Sequence, residues 1–340
     1  MVSSDRITEL RSGGTDTYVH DLSVIIVSFN TRAVLRRCLE ELEVEAEGMS
    51  MEVLLVDNGS RDGSAEMVAT DFPEVRLIES GTNLGFGAAN NRMFAQARGR
   101  YMVLLNSDAF LRPGALRRAL ERMDADPQTA LAGGQLTGED GSWQPSARMF
   151  PSLLNDFLSM TGLAYRYRES RFWGRADRTW ANPRASTETD WVPGAFSIVR
   201  HSVLDRMGGF DEAFFLYYEE VDLCRRIKAG GYKVQYWADV VVVHLGGESS
   251  KSMPNAARSA AGAQLTLWRL RSAYLYYRKH HGHAAWFSMA MEYGWHGLRL
   301  MRNRLAGKEE KIAESRATMS LIRQAWRDTR GGRISPAKPW

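Results

Sequence analysis

The sequence predicts an α/β protein in which a mostly parallel central sheet is followed by a C-terminal helical extension. Three observations lead there. Four β-branched or aliphatic runs each give way to a segment with apolar residues at helical spacing, joined by short links, the pattern of βαβ units. Polar residues gather at the predicted carboxyl ends of those runs, where open α/β sheets bind ligands. From about Ser252 onward the pattern is helical, with no further strand.

In chain order, residues 1–20 read as a polar, flexible leader. No apolar signal core is seen there, so the expected compartment is the cytoplasm. LSVIIVSFN (Leu22–Asn30) has the composition of a buried parallel strand. Thr31–Glu43 follows with Val34, Leu35, Cys38, Leu39 and Leu42 at helical spacing. MEVLLVDNGS is a second strand ending in a turn, RDGSAEMVATDF a second helix with Asp62 or Ser64 as cap, and VRLIES a short third strand. GTNLGFGAANNRMFAQA is a Gly/Asn loop running into a helix. RYMVLLNSDAFL is a fourth strand with a polar turn, and RPGALRRALERM a fourth helix. Residues 137–190, rich in Arg, Trp and Tyr, read as an irregular insertion or flap. Strand, turn, helix and strand then return through WVPGAFSIVR and GGFDEAFFLYYEEVDLCRRIKAGGYKVQYWADVVVVH, closing a domain over 21–250. With 44% hydrophobic and 25% charged residues, the composition excludes disorder and collagen-like repetition. Two cysteines without CxxC spacing argue against a disulfide framework or a structural zinc site, and for a reducing compartment.

The chemistry gathers in four clusters. Asp57, at a strand mouth, reads either as an acceptor for a base N–H or as a turn residue. NLGFGAAN fits neither a dinucleotide fingerprint nor a P-loop. Gly85 and Gly87 there suit a close backbone approach to a ligand, and Asn83 and Asn90 bring amide groups. In NSD (Asn106–Asp108), Asp108 is a hard oxygen ligand for Mg²⁺ or Mn²⁺, although turns favour the same residues. In YYEEVDLCRR, Glu219 and Asp222 share a helix face, and Asp222 and Arg226 are spaced to pair. Preceding aromatic residues shield this helix end from water. Burial beside like charges raises a carboxylate pKa and makes a usable base. His244 ends the VVVV strand as a candidate imidazole ligand.

VSFN, VDNGSRDGS, NLGFGAANN, LLNSDAFLRPGAL, WVPGAF, GGFDEAFFLYYEEVDLCRR, HLGGES and SAYLYYRKHHG (Ser272–Gly282), in this order, resemble the family 2 glycosyltransferases. These are inverting enzymes of GT-A fold, and the likeness is to their bacterial rhamnosyltransferase-like branch. The resemblance implies that Ser28, Asn30, Asp57, Asn83 and Asn90 line the nucleotide, with Asp57 at the pyrimidine. It makes Asp108 the last residue of a metal-binding DxD, with Asn106 in place of the first, and sets His244 near the diphosphate or metal. It puts Glu220 at the base position behind Glu219, Asp222 and Arg226 in a DLxxR pattern shaping the site, and Trp191 beside the transferred sugar. The implied donor is a dTDP- or UDP-linked sugar, dTDP-L-rhamnose foremost. The implied acceptor is a glycan or a polyprenyl-diphosphate-linked saccharide of the cell envelope. A nucleotidyltransferase, or a sugar-nucleotide-binding scaffold without catalysis, are the competing readings.

Between Lys251 and Leu305 stand nine Lys or Arg against one acid, Glu292. Setting these aside from the 44 basic and 40 acidic residues of the chain leaves 35 and 39, so the basic character belongs to the extension, 251–340. No nucleic-acid-binding module is recognisable there. Leu267, Leu270, Tyr274 and Tyr277 form one helical stripe, which either packs on the catalytic domain or lies at an anionic membrane surface. The second reading is preferred, and it implies a peripheral protein on the inner face of the membrane.

Overall fold

The computed structural model describes residues 18–246 and 255–336. Residues 1–17 of the expected leader, the end of HLGGES and the 250/251 domain boundary lie outside them.

The first half alternates as expected: β1 (His20–Ser28), α1 (Arg32–Glu45), β2 (Met51–Asp57), α2 (Ser64–Asp71), β3 (Arg76–Glu79), α3 (Phe86–Phe94) and β4 (Gly99–Asn106). The fourth predicted run is two strands, because the polar Ser107–Asp108 turn breaks it before β5 (Ala109–Leu111). After α4 (Ala115–Ala125) comes β6 (Thr129–Thr137), a strand whose TALAGGQLT carries no bulky alternation to announce it. Gly133 and Gly134 of β6 are required by packing, since a Cβ there would meet Val192 or the Val240 carbonyl at 2.7 and 2.4 Å.

The expected insertion is ordered by short pieces: β7 (Trp143–Gln144), α5 (Leu153–Met160), α6 (Leu163–Arg166) and β8 (Thr187–Glu188). The chain then forms β9 (Phe196–Arg200), α7 (His201–Met207), α8 (Glu219–Ala229) and β10 (Lys233–His244). The sheet order is β3-β2-β1-β4-β9-β6-β10-β5, with β7 paired to β6 and β8 to β10. Strands β1–β4 run parallel, and β9 is antiparallel to both β4 and β6, so β6 and β10 run the same way as β4. Six strands therefore end on one rim. Strand order reverses at β1, between β2 and β4, which opens the crevice that ligands use.

The extension is α9 (Asn255–His281), α10 (Ala284–Leu305) and α11 (Glu309–Asp328). The structure corrects the membrane reading of its first helix. Leu267, Leu270 and Tyr274 pack on Ile322 and Ala325 of α11, and Tyr277 packs with Phe214 and Val221. Each such burial is worth about 1.5–3 kcal/mol, so this stripe is core. Helix α10 differs. It buries Ala285, Ser288, His296 and Asn303, and turns Trp286, Phe287, Leu298, Met301 and Leu305 to solvent beside the exposed Arg302 and Arg304. Among the described residues no helix is long and apolar enough to cross a membrane.

Candidate active site

The end of β2 supplies Asp57, almost fully buried. Its Oδ2 accepts from the backbone N–H of Gly59 (3.2 Å) and Ser60 (2.8 Å), while Oδ1 is buried with no hydrogen-bond partner. An orphaned carboxylate oxygen costs about 1–3 kcal/mol, and this one sits at the end of β2 with an acceptor site still unused. Asn30, left-handed at φ 55°, accepts from Arg61 N through Oδ1 and donates its own N–H to Ser60 Oγ, so it fastens the loop after β2 to the end of β1. Ser28 is buried against Thr31, hydroxyl to hydroxyl at 3.0 Å.

The Gly/Asn loop has a different job from the expected one. Gly85 (φ 84°) lies so close to the next segment that a Cβ would stand 2.2 Å from the Phe215 carbonyl, which accepts a hydrogen bond from Phe86 N. A Cβ on Gly87 would stand 3.1 Å from Phe210 Cβ, with Glu219 Cβ just beyond. The glycines thus admit protein, the segment leading into α8, at their Cβ positions. The asparagines help to hold the same loop. Asn83 Oδ1 accepts from Gly85 N and from Asn58, and Asn90 donates to the Phe86 carbonyl inside α3. Asn58, which sequence reasoning passed over, joins the two loops, with Oδ1 accepting from Leu84 N at 2.8 Å.

At the end of β4, Asn106 donates its N–H to the Ala195 carbonyl and Ser107 accepts from Thr31 Oγ1. The chain then crosses to the far edge of the sheet, where β5 pairs with β10 and Leu245 N donates to the Asp108 carbonyl. This register brings His244 Nε2 to 3.5 Å from Asp108 Oδ1. Gln144, from the insertion, fixes the tautomer. Its Nε2 donates to the His244 carbonyl (2.7 Å), so its Oε1 faces His244 Nδ1 at 3.0 Å, and that nitrogen must carry the proton. When the ring is neutral, His244 Nε2 is the lone-pair nitrogen, and with Asp108 Oδ1 it offers the kind of donor set a divalent cation takes. Among the described residues no group of three or more His, Cys, Asp or Glu is gathered for a metal, so the remaining ligands would come from the diphosphate and water.

Helix α8 opens after two left-handed tyrosines, Tyr217 (φ 68°) and Tyr218 (φ 71°). The Oε2 atoms of Glu219 and Glu220 are both buried without a partner. Burial pushes both pKa values up, and the Glu220 charge raises Glu219 further. Glu219 is buried and Glu220 half-buried, which leaves Glu220 the more accessible carboxylate. Asp222 plays another part. It is fully buried and ringed by Arg226 Nε (2.8 Å), Lys279 Nζ (2.7 Å) and His280 Nε2 (2.7 Å). Burial alone would raise its pKa, but these three donors hold it at about 2. A saturated carboxylate cannot take a proton from an acceptor, so Asp222 ties α8 to α9. Arg226 is likewise engaged, on Asp222 and the carbonyls of Met207, Gly208 and Gly209, which take four of its five N–H donors. Trp191 donates Nε1–H to the Met149 carbonyl, and the Arg148 guanidinium stands 5.1 Å over its ring, leaving at most one face for a sugar.

Contacts link these parts along one rim. Asn106 meets Ala195, Gly194 lies against Phe86, and the neighbouring Gly87 lies against Glu219. Asn58 and the Gly85 loop connect Asp57 to the same segment. Lys279 and His280 fall in the SAYLYYRKHHG phrase, whose family likeness marked it without revealing Asp222 as its target.

Comparison with known proteins bears on the family and the fold. Residues 23–205, more than half of the chain, match the model of the family described as glycosyl transferase family 2. An N-acetylglucosaminyl-diphospho-decaprenol L-rhamnosyltransferase of Mycobacterium tuberculosis (strain ATCC 25618 / H37Rv) is 28% identical over 312 residues, covering 88% of this chain and 97% of that protein. Rhamnosyltransferase WbbL of Escherichia coli (strain K12) is 24% identical over 265 residues, 74% of this chain and 91% of its own. Among solved structures, the mannosyltransferase PcManGT from Pyrobaculum calidifontis, in complex with GDP-Man and Mn²⁺, superposes with a TM-score of 0.53 at 16% identity, over 94% of this chain and 89% of that one. That likeness shows the GT-A fold.

Proposed function

Because this chain belongs to glycosyl transferase family 2 and is a glycosyltransferase, we propose that it transfers L-rhamnose from dTDP-L-rhamnose, with inversion, to a polyprenyl-diphosphate-linked saccharide in cell-envelope polysaccharide synthesis. What supports the chemistry is that Asp57 ends β2, the Asp108–His244 pair lies where β4 and β10 end on the same side of the sheet, and Glu219 and Glu220, each with a partnerless Oε2, head α8 against the Gly87 loop. The relatives named above support the choice of sugar and carrier.

In this reading Asp57 Oδ1 accepts from the pyrimidine N–H. Asp108 and His244 would hold Mg²⁺ or Mn²⁺, which when bound neutralises charge on the departing diphosphate. Gln144 keeps His244 in the tautomer that can ligate. Glu220 takes the proton from the acceptor hydroxyl as that oxygen attacks the anomeric carbon from the face opposite the leaving group. A single displacement needs one base and inverts the centre. Burial and the Glu220 charge favour the neutral form of Glu219, and in this reading Glu220 serves as the carboxylate.

The protein would work on the inner face of the membrane, where a polyprenyl carrier lies. The exposed apolar face of α10 flanked by Arg302 and Arg304 supports this, with aromatics at the boundary and cations toward anionic head groups.

A donor panel scored for release of nucleoside diphosphate, with and without metal and a lipid-linked N-acetylglucosaminyl diphosphate acceptor, tests the reading. The expected outcome is metal-dependent release from dTDP-L-rhamnose that accelerates with acceptor. Release from none of the donors would overturn it.

A further inference from the structure

Between the insertion and the C-terminal helices lies a cavity of about 390 Å³, within the range of small-molecule sites. Asp156 and Ser159 of α5, Arg269 of α9, and Glu292 and His296 of α10 line it, and Tyr218 forms part of its wall. We propose that this cavity is the subsite for the uncharged sugar of the acceptor, an inference that rests on the saccharide-acceptor reading above.

Charge selects the ligand class. Arg269 is engaged by Glu292, Nη2 to Oε1 at 2.7 Å, and Asp156 brings a second carboxylate that accepts from Tyr277 Oη at 2.6 Å. Burial holds the His296 imidazole below its ordinary pKa, so it adds no positive charge. A wall with two carboxylates, one arginine and a neutral imidazole repels phosphate. It suits hydroxyl and acetamido groups, which donate to carboxylates and accept from a guanidinium. Within this wall His296 is only 8% exposed and its Nδ1 has no hydrogen-bond partner. A buried ring nitrogen of that kind asks for a polar occupant.

Position links the cavity to the chemistry. Tyr218 is joined by one peptide bond to Glu219, and its left-handed backbone costs of order 1–3 kcal/mol unless its surroundings hold it. Tyr276 packs on its ring, with centroids 5.3 Å apart. An occupant against Tyr218 therefore braces the head of α8, where the base sits. Helix α10 turns His296 and Glu292 inward and its apolar face outward, so one helix meets both the sugar and the lipid of a carrier-linked saccharide.

The test uses the full chain and two variants, Glu292→Gln and Ser159→Trp, the latter at an exposed rim position where folding tolerates a large residue. Turnover is measured with the lipid-linked N-acetylglucosaminyl diphosphate, and binding with methyl N-acetylglucosaminide by titration calorimetry. Loss of a charge-assisted hydrogen bond predicts an acceptor KM raised about tenfold or more in Glu292→Gln, and blockage predicts at least as much in Ser159→Trp. Donor Kd and donor hydrolysis by water should match wild type in both. Methyl N-acetylglucosaminide should bind wild type and fail to bind Ser159→Trp. Unchanged acceptor KM and unchanged sugar binding in both variants would make the cavity a packing gap and overturn the proposal. The sugar titration requires no turnover, so it decides the matter even where the transferase reading itself fails.

Discussion

Helix α8 carries acids toward two different neighbours: Glu219 and Asp222 lie on one side of it, yet one meets an unpaired and the other a paired face of the surrounding protein, and that contrast explains which acids can do chemistry. At its head, Glu219 and Glu220 enter a dry setting with no cation in hydrogen-bond reach of their buried Oε2 atoms, and their pKa values rise. Two residues after Glu220, Asp222 enters an equally dry setting but meets Arg226, Lys279 and His280, and its pKa falls to about 2. Burial is common to both faces, so the partner set decides the sign. The unpaired face can accept a proton. The paired face fastens the catalytic sheet to the helical extension.

The sharpest way to break this contrast is on the unpaired face. Glu220→Gln should lower kcat by ~10²–10⁴-fold while donor Kd, read by calorimetry, stays at its wild-type value. The pH profile offers a second readout. Glu220 must be deprotonated to act, and burial sets its pKa above the ordinary 4.5. Wild-type kcat/KM should therefore fall on acidification at a pH higher than an ordinary glutamate would impose.

On the paired face the expected loss is in stability. Asp222 drops from 3.8 to about 2 on folding, a shift worth about 2–3 kcal/mol. A depressed carboxylate stabilises the fold fully above its unfolded pKa and loses that contribution as pH falls toward the folded value. Asp222→Asn should thus lower the urea midpoint at neutral pH, and wild type should approach the variant between about pH 4 and pH 2. A further loss follows at the loop that seats α8. Gly85→Ala forces a side chain into the left-handed region at φ 84°, which costs about 1–2 kcal/mol, and pushes Cβ into the Phe215 carbonyl. Circular dichroism melting should show that decrement.

Much of this was legible before any coordinates. The alternation of apolar runs and helical spacing gave β1 to β4 with their helices, and the polar turns at strand ends pointed to Asp57 and Asp108. The strands that escaped notice had reasons to. Strand β6 is built from Ala, Gly and Leu because Val192 and Val240 crowd it, so its sequence lacks the bulk that marks a strand. The pairing of Asp108 with His244 depends on β5 crossing to β10, which no local pattern encodes. Gln144 lies in a segment without periodicity, yet one amide fixes the histidine tautomer. The glycines of NLGFG look like ligand-binding glycines from spacing alone, and only the position of Phe215 shows that they admit protein. The α9 stripe is apolar as read, but α11 and the residues around the start of α8 cover it. The apolar side that stays bare belongs to α10.

The smallest expected effect is the most discriminating. Glu219 has its pKa raised well above 4.5, first by burial and then by the Glu220 charge, which favours its neutral form. Glutamine reproduces that neutral side chain in shape and hydrogen-bonding reach, and Glu219→Gln should leave kcat near the wild-type value. The stability sign is opposite to that at Asp222. A carboxylate raised by folding is best tolerated below its unfolded pKa and burdens the fold as pH rises toward the folded value. The variant escapes this burden, so its denaturation midpoint should exceed that of wild type increasingly toward alkaline pH. An inactive Glu219→Gln beside an active Glu220→Gln would move the base by one residue and reverse the protonation order argued here. Full activity in both would mean that the unpaired face of α8 takes no proton at all.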